Sequence, residues 1–142
     1  MIKIFSKIAE FFGIGKHGNT SAVILCAGAS TRFSSEGESK QMATVNGIAV
    51  VERTIRAFDD CKSIGEIIVV VPKDEAESYK DFVYEKGFKK VKCIVTGGET
   101  RQISALRGFK HVDEKAEYVA IHDGARCLIT EEQIEEVIKE SK

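Results

Sequence analysis

Short, nearly uninterrupted apolar runs alternate with longer amphipathic stretches from Thr20 to the end of the chain, and this alternation limits the folds available. The runs with strand character are Ala22 to Cys26, Glu66 to Val71, Val91 to Val95 and Tyr118 to His122. Their cores (Val23 to Leu25, Ile67 to Val71, Tyr118 to Ile121) are continuously apolar, as parallel strands covered on both faces require. Between and after them, helical periodicity predicts helices over Val50 to Asp60, Glu75 to Lys86, Arg101 to His111 and Glu131 to Lys139. Asp74 with Glu77 and Thr130 with Gln133 have capping-box spacing, and Gly87 is placed to end the second helix. The expected fold is α/β: a Rossmann-like, open, mostly parallel sheet with right-handed crossovers and helices on both faces. Ligands of such sheets bind at the carboxyl ends of the strands, so the loops after Cys26, Val95 and Ile121 are where chemistry is expected.

A chain of 142 residues, 43% hydrophobic and 30% charged, can bury one core. Its 21 basic and 22 acidic side chains give a net charge of -1, which provides no global field for nucleic acid; an anion must be gripped locally. Cys26, Cys61, Cys93 and Cys127 form no C-x-x-C pair and read as reduced cytoplasmic thiols. No run reaches the roughly 18 apolar residues of a membrane span. Ile4, Ile8, Phe11 and Phe12 recur at helical spacing opposite Lys3, Lys7 and Glu10. Residues 1–19 therefore read as an amphipathic extension and glycine-containing linker, and residues 20–142 as the domain. Lys142 follows closely on the fourth strand and its helix, so the expected domain is C-terminally truncated, lacking strands that would complete the sheet.

Three segments fall on the expected loops. Cys26-Ala27-Gly28-Ala29-Ser30-Thr31-Arg32-Phe33 leaves a buried strand with small residues that let backbone amides approach a phosphate. It has neither the three glycines of a dinucleotide fingerprint nor the Gly-Lys-Ser/Thr ending of a P-loop, which argues against a nicotinamide oxidoreductase and a P-loop kinase. Arg32 and Lys40, the latter beside Gln41, would bring two cations over this loop, enough to neutralise a triphosphate. Gly97-Gly98-Glu99-Thr100-Arg101-Gln102-Ile103-Ser104 opens a helix, whose N-terminal amides and dipole favour anions and polar groups. His122-Asp123-Gly124-Ala125-Arg126 ends the last strand.

The A-G-x-x-x-R pattern followed by Lys40-Gln41 resembles the nucleotide-binding signature of nucleotidyltransferases that make nucleoside-diphosphate sugars and alcohols. Gly97 to Ser104 resembles the G-G-x-x-R-x-x-S segment of the methylerythritol phosphate cytidylyltransferases, and His122 to Arg126 their H-D-A-A-R-P. The similarity runs from Ser21 to about Lys139. It implies a nucleotide-diphospho-sugar transferase type of sheet and CMP transfer from CTP to a polyol phosphate, with Mg²⁺. It further implies a cytoplasmic homodimer when full length.

By the same resemblance Ala27, Gly28 and Ala29 cradle the triphosphate, with Arg32 and Lys40 catalytic in stabilising its charge. Gly98, Glu99 and Ser104 recognise the base with Arg101 supporting their loop, Gly124 and Ala125 admit the nucleotide, and Asp123 holds the metal. The sequence departs from the family pattern at Cys26 and Gly124, each in place of Ala, at Ser39 before Lys40, and at Cys127 after Arg126, the last two where Pro is usual. A ribitol-5-phosphate cytidylyltransferase, which shares the fold, CTP and Mg²⁺, is the alternative within the same class. A non-catalytic nucleotide-binding or oligomerisation module is the alternative of another class.

Overall fold

The computed structural model describes residues 18–27 and 42–142; the predicted amphipathic helix carrying Ile4 to Phe12 lies outside them. Four strands form one parallel sheet: β1 (Thr20–Leu25), β4 (Ile64–Val71), β5 (Val91–Thr96) and β6 (Tyr118–Asp123). Their spatial order is β5-β4-β1-β6. The chain moves from β1 outward through β4 to β5, then returns to the other side of β1 as β6. The order thus reverses between β1 and β6, and a crevice is expected beyond their carboxyl ends.

Helices cover both faces. On one, Ala22, Ile24, Ile67, Val69 and Val71 pack with Val51, Ile55 and Phe58 of α1 (Val50–Asp60). Tyr79 of α2 (Ala76–Lys86) and Ile134 and Ile138 of α4 (Glu131–Glu140) complete that layer. The other face, Val23, Leu25, Ile68 and Val70, takes Ala105 of α3 (Arg101–Phe109). Central β1 is buried throughout, which explains its continuous apolar run. Edge strand β6 is less covered, with Ile121 45% exposed.

The four predicted strands and helices are all present with ends within about two residues. Gly87 closes α2 in the left-handed conformation, and Thr130 and Gln133 make the predicted reciprocal capping box. The Asp74–Glu77 box does not form. Lys73–Glu75 is a 3-10 turn after Pro72, Glu75 takes the N-cap position without its side chain capping the helix, and Asp74 is drawn inside the turn. A small antiparallel hairpin, β2 (Thr44–Val45) and β3 (Ile48–Ala49), also precedes α1. Its tip is Asn46-Gly47, both at positive φ, as a two-residue primed turn demands.

Two carboxylates fix loops that carry the sheet. Asp59, buried at the end of α1, accepts hydrogen bonds from the amides of Lys89 and Lys90 and so sets where β5 begins. Glu135 of α4 accepts from the Ser63 amide (2.9 Å), the Ser63 hydroxyl and the Cys61 thiol (3.1 Å), binding α4 to the start of β4. Those bonds, the Ser63 hydroxyl foremost, hold the Glu135 carboxyl below its ordinary value of 4.5. A carboxyl lowered in the folded state stabilises the fold above its unfolded value and loses that contribution as pH falls through the folded value. Thermal unfolding of the parent and Glu135→Gln should therefore differ most at neutral pH, and the gap should shrink as pH falls below the ordinary carboxyl value of 4.5. A gap that stays constant across that range would contradict this role.

Candidate active site at the carboxyl rim of the sheet

At the end of β1, the amides of Cys26 and Ala27 donate to Val70 O (2.7 and 3.0 Å), turning the chain across β4. Gly97 leaves β5 alongside it, its amide bonded to Val71 O at 2.8 Å. A Cβ on Gly97 would lie 2.3 Å from Ala27 Cβ and 2.7 Å from Ser104 Oγ, so only glycine lets these two loops touch. On the other side, the Gly124 amide donates to Leu25 O at 2.8 Å, while Thr54 Oγ1 of α1 donates to Gly124 O at 2.8 Å. The first residues after β1, β5 and β6 thus converge at one rim.

Asp123 stands at this convergence. Arg101 Nε at the start of α3 meets Oδ1 at 3.1 Å, and Arg126 Nε meets Oδ2 at 3.2 Å. With the Asp123 side chain 30% exposed and the arginines more so, these pairs fix geometry more than they add stability. They leave two guanidinium groups beside the positive end of α3.

Ser104 is fully buried, and its Oγ accepts the Gly98 amide at 3.1 Å. Thr100 caps α3 by accepting the Ile103 amide. Glu99 is exposed, and Ala125 is half-buried. His122 is a packed residue: its ring lies 5.2 Å from that of Phe58, and Nε2 contacts Arg126 O at 3.1 Å.

The structure therefore brings together Ala27, Gly98, Arg101, Ser104, Asp123 and Gly124, with Glu99 and Ala125 next to them in the chain. Gly28, Ala29, Arg32 and Lys40 lie outside the described residues. Arg101, expected to support the base loop, reaches across to Asp123. The sequence motifs assign no role to Arg126 or Thr54. Arg126 stands three residues after Asp123 in the quoted motif, whereas Thr54 sits in a helix with no motif to mark it. Among the described residues no three His, Cys, Asp or Glu side chains gather as a metal cage.

The family model for 2-C-methyl-D-erythritol 4-phosphate cytidylyltransferase (IspD) matches residues 20–142. The chain belongs to this cytidylyltransferase family. It is 46% identical over 122 residues to the enzyme of that name from Caldanaerobacter subterraneus subsp. tengcongensis, and 37% identical over 125 residues to that of Clostridium perfringens. Those alignments cover 85% and 88% of this chain but 53% and 55% of the relatives, so it spans about half their length. The crystal structure of 4-diphosphocytidyl-2C-methyl-D-erythritol synthase from Anaerococcus prevotii superimposes with a TM-score of 0.73 at 31% identity. That superposition covers 88% of this chain and 51% of the other. The nucleotidyltransferase type of sheet expected from the motifs is the one observed.

Two departures from the family motifs explain one another. A Cβ on Gly124 would come within 2.5 Å of Cys26 Sγ, so the larger residue at position 26 occupies the room an alanine at 124 would need. Burial raises the Cys26 thiol to about 12, so it serves as a filler and not as a nucleophile. Gly124→Ala alone should destabilise by about 1–3 kcal/mol through overpacking, and adding Cys26→Ala should recover most of it. Strictly additive effects in that double-mutant cycle, read by denaturant unfolding, would show the two positions to be independent.

Proposed function

We propose that the full-length protein transfers CMP from CTP to 2-C-methyl-D-erythritol 4-phosphate, releasing pyrophosphate. The observation that carries this reading is the meeting of the starts of the three motif loops at the switch point of the sheet, where Ala27 abuts Gly97, Cys26 abuts Gly124 and Arg101 pairs with Asp123, supported by the family match. A phosphate oxygen of the acceptor attacks the α-phosphorus of CTP; the bond to the acceptor oxygen forms as the bond to the bridging β-phosphate oxygen breaks, and pyrophosphate leaves. The acceptor phosphate is already anionic, so no protein nucleophile and no proton abstraction are required.

The protein's work is positioning and charge stabilisation. The Gly97–Gly98 turn receives the base, with Glu99 next in the chain. Ala27, Gly28 and Ala29 bring backbone close to the phosphates, over which Arg32 and Lys40 place positive charge. Arg101 and Arg126, aligned by Asp123, add two guanidinium donors suited to phosphate oxygens. Gly124 and Ala125 keep that wall low enough for the nucleotide to lie against it.

Each Asp123 oxygen accepts one guanidinium N–H, and the partly exposed carboxylate keeps further lone pairs that suit Mg²⁺, which takes one or two carboxylates and fills its remaining positions with water and substrate phosphate oxygens. Asp123 would hold it, and bound there the ion would neutralise charge on the triphosphate. No helix among the described residues is long and apolar enough to cross a membrane, and a cytoplasmic homodimer accords with the family motifs.

Pyrophosphate release by the full-length protein should require both CTP and methylerythritol phosphate. Substitution of Arg32 or Lys40 by Ala should lower kcat about 10²-fold or more while weakening CTP binding far less. Activity equal to the parent in either variant would remove that residue from the mechanism, and preference for ribitol 5-phosphate would transfer the acceptor. In calorimetry, Asp123→Asn should abolish the Mg²⁺ dependence of CTP binding; unchanged dependence would place the ion elsewhere.

A further inference from the structure

The base loop needs a support that Arg101 does not give it, because the described partner of that guanidinium is Asp123. Another arginine of the same helix lies against the loop. Arg107 Nη1 donates to Gly97 O at 2.7 Å and, more weakly, to Thr96 O at 3.4 Å. Among the described residues no carboxylate pairs with it, so its charge falls on the carbonyls of the turn. A Cβ on Gly98 would meet Ile103 Cγ2 at 2.2 Å and sit 3.6 Å from Arg107 Cζ, so the isoleucine and the guanidinium both lie against the turn where only glycine leaves room. Ser104 holds the same turn from within the protein.

We infer that Arg107 is the positioning residue of the base loop, clamping the Gly97 carbonyl from the solvent side while Ser104 fixes Gly98 from the buried side. This rests on the reading that the Gly97–Gly98 turn receives the nucleotide. Charge-assisted bonds to a carbonyl are stronger than neutral ones, though exposure to solvent reduces the difference. Without the clamp the turn would still form, since Gly97 keeps its bond to Val71 and Thr100 keeps its cap, but it would sample positions that do not fit the base. Arg107 touches neither the reacting phosphates nor Asp123 in this arrangement, so its influence falls on nucleotide affinity and not on the chemical step.

The full-length protein provides the test, with CTP and Mg²⁺ as the probe. Arg107→Met keeps the stem and removes the donors; it should raise the Kd for CTP by about fivefold, leave kcat at saturating CTP within about twofold, and leave the KM for the acceptor unchanged. Arg107→Lys, which can still donate to Gly97 O, should return the Kd to within about twofold of the parent. A purely structural role would lower the thermal midpoint and the active fraction, and the lysine variant would not restore CTP affinity selectively. Parent-like CTP affinity in Arg107→Met overturns the inference and leaves the activity proposal standing. A protein that binds CTP with this dependence on Arg107 yet releases no pyrophosphate supports the clamp and overturns the activity. Absence of CTP binding in the parent overturns both.

Discussion

Everything at the candidate site depends on how closely three backbone segments approach one another at the end of a parallel sheet. Ala27, Gly97 and Gly124 belong to loops far apart in sequence, yet a single added methyl at Gly97 or Gly124 would collide with the loop next to it. The strand order β5-β4-β1-β6 makes that approach possible, because β1 lies between β4 and β6 and its exit passes both neighbouring loops. The buried core built from β1 and β4 then keeps the rim rigid, since a well-packed interior does not deform continuously.

On this frame α3 carries a division of labour among its polar residues. Its first residue reaches to Asp123, its fourth is buried and holds Gly98, and its seventh grips Gly97 from outside. One helix thereby couples the Gly97–Gly98 turn to the carboxylate at the end of β6. Because the Arg101–Asp123–Arg126 group is partly solvated, its worth is directional: it holds two planar guanidinium forks in place without adding much to the stability of the fold.

The sheet was legible in the sequence because parallel strands buried on both faces leave continuous apolar runs, and the helices because their periodicity is long enough to measure. The motif loops were legible through their resemblance to a family, which placed Asp123, Gly98 and Ala27 at one rim. Interactions that cross the chain without a local pattern were not legible. Nothing in the sequence pairs Cys26 with Gly124, and Arg107 reads as one more exposed charge on a helix. The hairpin at Asn46-Gly47 did leave its turn signal, but its two-residue strands are too short for alternation to show. The Asp74–Glu77 box failed because Pro72 starts a tight turn that uses the residues an N-cap would need.

The central claim is that one ligand spans all three loops, and amide chemical shifts report it directly. On titration of the isotope-labelled protein with CTP and Mg²⁺, the amides of Ala27, Gly98 to Arg101 and Asp123 to Ala125 should shift together along a single binding isotherm. Shifts confined to one loop, or gathered at the opposite end of the sheet around Glu66 and Asp113, would contradict it.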